Sequence, residues 1–374
     1  MTIVHGGNVY ELSALAGCSP EEILDFSASI NPLGPPAGLE AVLSGCFRLL
    51  ESYPDIHCRR LIEAISKFHD IDPACIAVTN GSTELIYWLP RALGVGSALA
   101  VLPAFGEYVK AFELHGTRLE KIFSTPEKDF KPEVEQLDAA LRNHAFDAVL
   151  LTHPSSPAGA LLGVETIDWI AEKSSGPGPF LLVDEVFVDF CEQSSLKRLV
   201  AGARNLALIR SFTKFYGLPG LRIGYLLAPP RIAEKVKGFL PPWSVSTAAQ
   251  AAGAWCLGRE EYRLKTLELI EEQRRRLAAE LSSIPGLEVF PSAANFLLVR
   301  MDRGLGPASS LKWDIFKRYR ILIRDCGSFE GLGDSYFRVA VRLPEQNDRL
   351  VAALKDALSS PDSAAFPTIS HARP

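Results

Sequence analysis

Residues 211–224 read SFTKFYGLPGLRIG, directly after an apolar run whose composition is that of a buried strand. Two hydroxyl residues, Ser211 and Thr213, precede Lys214, and Arg222 follows eight positions later behind a turn rich in Gly and Pro. Phosphate groups bind hydroxyl and N–H donors together with a guanidinium that contacts two oxygens. A lysine that reacts with a carbonyl must first lose its proton, which apolar surroundings favour. The segment therefore predicts a phosphate site beside a reactive lysine at the end of a strand.

Apolar, β-branched runs alternate with helical patterns on both sides of this segment. The predicted strands of this region are Ile76–Thr79, Ala98–Leu102, Ala148–Thr152, Phe180–Asp184, Ala207–Arg210 and Ile223–Ala228. The predicted helices that lie between or before them include Leu61–Phe68, Thr83–Leu93 and Ile167–Lys173. Strands separated by helices are typical of an α/β domain around a mostly parallel sheet that helices flank.

A second, smaller domain is predicted after this region. Apolar residues keep helical spacing from Glu261 to Ile284, which indicates one long helix. Short strand-like runs follow at Leu287–Phe290, Phe296–Arg300 and Tyr336–Val341, with a helix near Arg349–Ala357, which is an α+β pattern. We therefore predict an N-terminal arm with part of the small domain at residues 1–47, a large domain at 48–258, a small domain at 259–358 and a disordered tail at 359–374.

Three other segments lie, like residues 211–224, at the carboxyl end of a predicted strand. Asp184 can hold the N–H of a pyridinium ring and keep that ring cationic, although alone it also suits a helix cap or a Mg²⁺ ligand. Gly81, Ser82 and Thr83 open a helix whose N-terminus can bind an anion. Phe105 can stack on a flat heteroaromatic ring or pack in the core. Because open α/β sheets bind ligands at this edge, the four segments together predict one shared site.

Composition and charge disfavour several classes of protein. The net charge of −5 and the scattered basic residues do not indicate nucleic-acid binding. The seven cysteines include no CxxC pair, so we expect free thiols and neither a disulfide framework nor a metal cluster. The first residues lack the pattern of a signal peptide, and no apolar run reaches the roughly 20 residues that span a bilayer. A cytoplasmic enzyme of small molecules fits these features, without a membrane partner.

The four segments resemble those of fold-type I pyridoxal-5′-phosphate (PLP) enzymes of the class I and II aminotransferase family, over nearly the whole chain. The resemblance implies the aspartate aminotransferase fold, with a large PLP-binding domain and a smaller α+β domain. It implies that Lys214 links covalently to PLP and that Asp184 contacts the pyridine nitrogen. The other cofactor-binding residues that it implies are Gly81, Ser82, Thr83, Phe105, Ser156, Phe187, Ser211, Thr213 and Arg222. Tyr53 matches a tyrosine that reaches the cofactor phosphate of a neighbouring subunit, which implies a homodimer with shared active sites.

The N-terminal sequence is most similar to one branch of this family. Residues 5–8 read HGGN and residues 24–34 read LDFSASINPLG, which resembles the opening of the threonine-phosphate decarboxylases of cobalamin biosynthesis. In that branch the His-Gly pair contacts the substrate phosphate, which implies this role for His5 and Gly6. The resemblance also implies that Arg338 binds the substrate carboxylate. The remaining substrate-binding residues that it implies are Ser29, Asn31, Ser156 and Arg324.

Two departures from the family pattern bear on the substrate. Ser29 and Ser156 stand where the family favours asparagine, so a shorter hydroxyl replaces an amide at each position. A hydroxyl still donates a hydrogen bond but reaches less far, and a water can fill the gap. Phosphothreonine, phosphoserine and other phosphorylated substrates therefore all remain open.

The family resemblance favours one reaction and leaves two alternatives. The first is decarboxylation of O-phospho-L-threonine to (R)-1-amino-2-propanol O-2-phosphate for the cobalamin side chain. The same residues serve a histidinol-phosphate or aromatic aminotransferase, because the sequence does not determine which bond at Cα stands perpendicular to the ring. The third possibility is a regulatory or accessory protein that binds PLP without catalysis. The products formed from phosphothreonine discriminate among the three.

Overall fold

A computed structural model describes residues 5–359 of the chain, and residues 360–374, which hold nearly all of the predicted tail, lie outside it. The strands are β1 (Leu24–Asp25), β2 (Ile76–Thr79), β3 (Ser97–Leu102), β4 (Arg118–Phe123), β5 (Ala148–Thr152), β6 (Phe180–Asp184), β7 (Leu206–Ser211), β8 (Gly224–Leu227), β9 (Leu287–Val289), β10 (Phe296–Met301), β11 (Ile321–Leu322), β12 (Arg324–Asp325) and β13 (Tyr336–Ala340). The α-helices are α1 (Val9–Ala16), α2 (Leu39–Gly45), α3 (Arg59–His69), α4 (Ser82–Leu93), α5 (Glu107–Leu114), α6 (Val134–Asn143), α7 (Val164–Ser175), α8 (Pro230–Lys237), α9 (Thr247–Cys256), α10 (Glu260–Ser282), α11 (Ala308–Tyr319) and α12 (Pro344–Ser359).

The larger sheet has seven strands in the order β2-β8-β7-β6-β5-β3-β4. Strands β7, β6, β5, β3 and β4 are mutually parallel, and β8 runs antiparallel to both of its neighbours. Consequently β2 has the same direction as the parallel strands. The carboxyl ends of β2, β3, β6 and β7 thus meet at one edge of the sheet, as the sequence predicted.

Apart from the edge strand β4, this sheet is buried because its strands are almost entirely apolar. Strands β5, β7 and β8 have every residue buried, as expected for a sheet covered by helices on its faces. Its core continues into the apolar faces of α3, α4 and α9, through residues such as Leu61, Leu85 and Ala252. The predicted α/β fold class is confirmed, and each predicted strand of this sheet is present within one residue of its expected ends.

The smaller sheet has the order β12-β13-β10-β9 and is antiparallel. It shares a separate core with α10, α11 and α12. The short strand β1 pairs in parallel with β11, so the N-terminal region adds to this smaller unit. This pairing agrees with the expectation that part of residues 1–47 joins the small domain, whereas the domain boundaries themselves remain predictions.

Helix α10 is 23 residues long and connects the two cores, since Ile270 packs in the larger one and Leu277 and Leu281 in the smaller one. Within the described residues, no helix combines the length and the apolar character needed to cross a membrane.

Candidate active site

A cleft of about 1090 Å³, including its open mouth, lies at the carboxyl edge of the larger sheet. Segments from the N-terminal arm and from β12 and β13 of the smaller sheet complete its walls. The predicted site residues that line it are His5, Gly6, Ser29, Ser82, Thr83, Phe105, Ser156, Asp184, Phe187, Thr213, Lys214, Arg222, Arg324 and Arg338.

Lys214 lies in the cleft three residues after the end of β7. Its Nζ is 5.8 Å from the centre of the Phe187 ring. Burial lowers the pKa of this amine to about 8, and the positive charges of Arg338 and Arg222 act in the same direction. About half of the amine is therefore unprotonated near pH 8, compared with well under 1% for an ordinary lysine. A larger fraction of Lys214 than of an ordinary lysine is thus unprotonated near neutral pH.

Asp184 is the last residue of β6 and is almost completely buried. Its Oδ1 accepts a hydrogen bond of 2.8 Å from the backbone N–H of Val186. Burial raises the pKa of this carboxyl to about 6, although that hydrogen bond and the charge of Lys214 oppose the rise. A buried carboxyl that carries so few partners is suited to accept an N–H from a cationic ring.

The turn before α4 and the end of β7 form an anion site around Arg222. Gly81 has a φ of +80°, and a Cβ there would lie 2.4 Å from Nη2 of Arg222. A Cβ on Gly224 would lie 2.3 Å from the backbone N of Ser82. These two glycines therefore let the guanidinium and the N-terminus of α4 approach each other, and the helix N-terminus adds its own N–H donors.

Ser211 does not line the cleft, although it supports this anion site. Its buried Oγ lies 2.8 Å from Oγ1 of Thr213, and it accepts a hydrogen bond from the backbone N–H of Thr213. Ser211 is thus placed to orient Thr213, and its contact with a cofactor phosphate stays a prediction.

The donors of the cleft fit the groups of PLP. Gly81 leaves a cradle for Arg222 and for a phosphate at the N-terminus of α4, and Phe105 presents a ring that can stack on a flat heterocycle. Asp184 suits the ring nitrogen and Lys214 the aldehyde carbon. Phe187 carries no hydroxyl, whereas Ser156 lines the same cleft with a hydroxyl that could donate to a ring oxygen.

Arg338 lies on β13, opposite Arg324 of β12. Its Nη1 donates to Oγ of Ser156 at 3.1 Å, its Nη2 donates to the backbone O of Ser27 at 3.4 Å, and the guanidinium stacks 4.8 Å from the Phe296 ring. Burial lowers the pKa of Arg338 to about 10, which still leaves it charged at neutral pH. Its buried Nε has no hydrogen-bond partner among the described residues. Arg338 is thus oriented by Ser156 and available to a carboxylate.

Two further polar groups face the same part of the cleft. Ser29 is 1% exposed, and its Oγ has no hydrogen-bond partner within residues 5–359. Arg324 donates from Nη2 to Oγ of Ser328 at 2.9 Å and stacks over the ring of Phe329. An orphaned buried hydroxyl is costly unless a ligand or a water binds it, so the Ser29 hydroxyl is available to either one in the cleft.

The N-terminal arm, residues 5–8, contributes His5 and Gly6 to the lining of the cleft. Gly6 lies so close to Ser27 that a Cβ would come within 2.3 Å of the Ser27 backbone O. The next N–H, of Gly7, donates to Oγ of Ser27 at 2.8 Å. The arm is therefore held by the same residue whose carbonyl accepts from Arg338.

Two predicted site residues lie elsewhere. The Asn31 side-chain amide donates to the backbone O of Phe215, to the Tyr262 hydroxyl and to Oγ1 of Thr266, so its role here is to join three segments and not to line the cleft. Tyr53 is 79% exposed and stacks on Trp243 with ring centres 4.6 Å apart. In a single subunit Tyr53 contacts no part of the cleft, which is compatible with a contact to a neighbouring subunit.

The structure also brings forward residues to which the sequence assigned no role. Ser27 contacts the arm and Arg338, and buried Glu107 contacts His5. Tyr108, from the Phe105 segment, has a buried hydroxyl beside Asp184 without a hydrogen bond of good geometry between them. Ser27 stands within the quoted residues 24–34 and Glu107 lies two residues after Phe105, but only their three-dimensional neighbours reveal what they contact.

Known proteins match the chain over most of its length. The family model described as aminotransferase class I and II matches residues 21–354. The threonine-phosphate decarboxylase of Salmonella typhimurium is 33% identical over 360 residues, which cover 95% of this chain and 96% of that protein. The adenosylcobalamin biosynthesis bifunctional protein CobDQ of Leptospira interrogans is 33% identical over 94% of this chain, which spans only 41% of that longer protein.

Solved structures agree with these sequence matches. The histidinol-phosphate aminotransferase of Clostridium acetobutylicum has a TM-score of 0.84 and 28% identity, and the match covers 90% of this chain and 99% of that one. The L-threonine-O-3-phosphate decarboxylase of Porphyromonas gingivalis has a TM-score of 0.80 and 27% identity, with 90% and 100% covered. Both confirm the predicted two-sheet fold.

Proposed function

The chain belongs to the class I and II aminotransferase family, and from that premise we propose that it is a PLP-dependent decarboxylase of O-phospho-L-threonine. One observation carries the choice of substrate. His5 and Gly6 of the arm line the same cleft as Arg324 and Arg338, so a ligand with two anionic groups has a cationic or N–H partner for each. A phosphorylated amino acid is such a ligand.

The residues of this chain have separate tasks in that reaction. PLP, when bound, supplies a ring that accepts the electrons of the bond broken at Cα. Asp184 would hold the ring N–H, Phe105 would stack on the ring, and Lys214 would hold the aldehyde carbon. Arg338, oriented by Ser156, holds the carboxylate so that its bond to Cα can stand perpendicular to the ring. The carboxylate leaves as CO₂, and a proton, which the amine of Lys214 is placed to move, takes its position on Cα.

The reaction conserves the phosphate ester. Loss of CO₂ and gain of one proton at Cα convert O-phospho-L-threonine to (R)-1-amino-2-propanol O-2-phosphate. His5 and Gly6 bind the phosphate end and thereby orient the carbon skeleton. The similarity to threonine-phosphate decarboxylases and to the bifunctional CobDQ protein supports a role in the synthesis of cobalamin.

A second candidate is transamination of a phosphorylated amine such as histidinol phosphate. The histidinol-phosphate aminotransferase structure superposes with the higher TM-score of the two, and the same lysine, aspartate and arginine suit that reaction. The two functions differ in the bond that breaks at Cα, which is C–C in decarboxylation and C–H in transamination, and transamination also needs an amino acceptor.

Incubation of the PLP-loaded protein with O-phospho-L-threonine tests the proposal. We expect release of CO₂ and of aminopropanol phosphate in equal amounts, at the same rate with and without 2-oxoglutarate. L-Threonine, which lacks the phosphate, serves as the control and should react far more slowly. Glutamate formation that depends on 2-oxoglutarate, without CO₂, would assign the protein to the aminotransferases. Tight PLP binding with no product from O-phospho-L-threonine or from histidinol phosphate would favour a regulatory or accessory protein.

We further propose that the active form is a homodimer. Five apolar residues between positions 47 and 56 are strongly exposed in the single subunit, which is unusual for a soluble surface unless another protein covers it. They are Phe47, Leu49, Leu50, Tyr53 and Ile56. Tyr53 lies within this patch. A partner subunit that covers the patch would therefore bring its own cleft close to Tyr53.

Light scattering should therefore give about twice the mass of the 40.8 kDa chain. Leu50→Glu places a charge in the patch, where the exposed fraction is 64%, and should shift the protein to monomers. Leu264→Glu, at a position of similar exposure (54%) on α10, is the matched control and should remain dimeric. A wild-type protein with the mass of one chain would overturn the dimer.

A further inference from the structure

We propose that Glu107 is a positioning residue that holds the His5 imidazole in the cleft and thereby gives the protein its selectivity for phosphorylated over unphosphorylated amines. This inference rests on the proposed function, since it assigns the phosphate end of the substrate to His5. It concerns a residue that has no direct place in the chemistry at Cα.

Glu107 begins α5 and is only 5% exposed. Its Oε1 lies 3.0 Å from Nε2 of His5. Its Oε2 accepts a hydrogen bond from the Tyr87 hydroxyl and lies 3.7 Å from Nζ of Lys110. A buried carboxylate is costly unless such partners compensate for the lost water, so Glu107 is held in place from behind by Tyr87 and Lys110.

The contact with Glu107 determines which nitrogen of His5 can serve the ligand. A carboxylate accepts and does not donate, so Nε2 carries the proton in this contact. The ring centre of His5 is 5.6 Å from that of Phe105, and the side chain is about half exposed in the cleft. Nδ1 is therefore the nitrogen left for an anion. With Glu107 at one nitrogen and a phosphate at the other, the doubly protonated ring is the form that fits between them.

A hydrogen bond that does not involve Glu107 holds the backbone of the arm. The Gly7 N–H donates to Oγ of Ser27, which in turn donates to Oδ1 of Asp25 at 2.6 Å. Ser27 thus places the arm, whereas Glu107 places the imidazole. Loss of Glu107 should therefore leave the arm docked and change mainly how the phosphate is bound.

The negative charge of Glu107 should affect phosphate binding in opposite directions with and without His5. With His5 present, the carboxylate supports a cation that faces the phosphate. Without His5, the same carboxylate stands near the phosphate and repels it. Substitution of Glu107 should consequently weaken phosphate binding in the wild-type background and improve it, or leave it unchanged, in a His5→Gln background.

The test measures dissociation constants of the PLP-loaded protein from the change in cofactor absorbance, for O-phospho-L-threonine and for L-threonine. Glu107→Gln should weaken binding of the phosphorylated ligand about tenfold or more, as expected for a lost charged hydrogen bond, and binding of threonine less than about twofold. The double variant with His5→Gln should bind the phosphorylated ligand no more weakly than His5→Gln alone, because residues that act as a unit are not additive. Glu113→Gln, an exposed glutamate on the same helix, is the matched control and should bind both ligands as the wild type does.

Equal losses for both ligands, or additive losses in the double variant, would overturn the inference in favour of a purely structural Glu107. Thermal melts of each variant report on folding, and Glu107→Asp, which keeps the charge but shortens the reach, provides a second variant with an expected intermediate loss.

The same measurements with L-histidinol phosphate and L-histidinol separate this inference from the proposed function. If the protein transaminates L-histidinol phosphate, its preference for binding that ligand over L-histidinol should still depend on Glu107. A wild-type protein that does not discriminate within either pair would refute the inference whatever reaction it catalyses.

Discussion

Lys214→Ala should abolish covalent retention of PLP and lower turnover of O-phospho-L-threonine by about 10³-fold or more. The amine is the reactive group that the cleft provides beside Asp184, and burial together with Arg338 and Arg222 lowers its pKa to about 8. Alanine removes both the covalent link and the group that moves the proton at Cα. No other lysine lines the cleft within residues 5–359 to take over either task.

Borohydride reduction followed by mass spectrometry of the denatured chain checks this outcome. The wild type should gain the mass of one reduced cofactor, and the Lys214→Ala chain should gain none. Lys235→Ala, which removes an exposed lysine on α8, should behave as the wild type. Cofactor mass on the Lys214→Ala chain would assign the linkage to a different lysine.

Asp184→Asn should lower turnover by about 10²-fold or more while the fold is retained, because the amide has the same shape but cannot stabilise a cationic ring.

A second effect of Asp184 appears in the dependence of PLP binding on pH. Burial raises the pKa of Asp184 to about 6, so the wild-type carboxyl takes up a proton as pH falls through that value and loses the charge that attracts the ring N–H. PLP affinity of the wild type should therefore fall between about pH 7 and pH 5.

Titrations of the cofactor-free protein with PLP from pH 5 to pH 8 check this dependence. The cofactor's own protonations are common to both proteins, so the ratio of wild-type to Asp184→Asn affinity isolates the carboxyl. That ratio should decrease toward low pH. Asp168→Asn, at an exposed position of α7, is the control for loss of a remote carboxylate. A ratio that stays constant from pH 5 to pH 8 would contradict the assignment of Asp184 as the ring partner.

The sequence predicted those parts of the site that depend on local chemistry at strand ends. Apolar runs that end in Asp184 or lead into Ser211 identify strands and their carboxyl edge without any knowledge of the neighbours. It did not predict β4, whose Arg118, Glu120 and Lys121 interrupt the apolar pattern of an edge strand. The sequence also did not predict that β8 runs antiparallel to its neighbours, because the direction of a strand depends on the path of the chain between strands.

Contacts between distant segments account for the remaining differences. Asn31 bonds to Tyr262 and Thr266, which are more than 230 positions away, and no spacing rule indicates that its amide turns from the cleft toward α10. The pairing of Glu107 with His5 spans 102 positions and depends on the path of the N-terminal arm. Such contacts arise from packing of whole segments, which a single sequence does not encode in any local pattern.

Ser27 links the N-terminal arm and Arg338 through adjoining atoms of one residue. Its hydroxyl accepts from the arm that carries His5, and its carbonyl accepts from Arg338. The relative position of these two groups is consequently set by the backbone at residue 27. A change in the conformation of that backbone would thus displace the arm and Arg338 together.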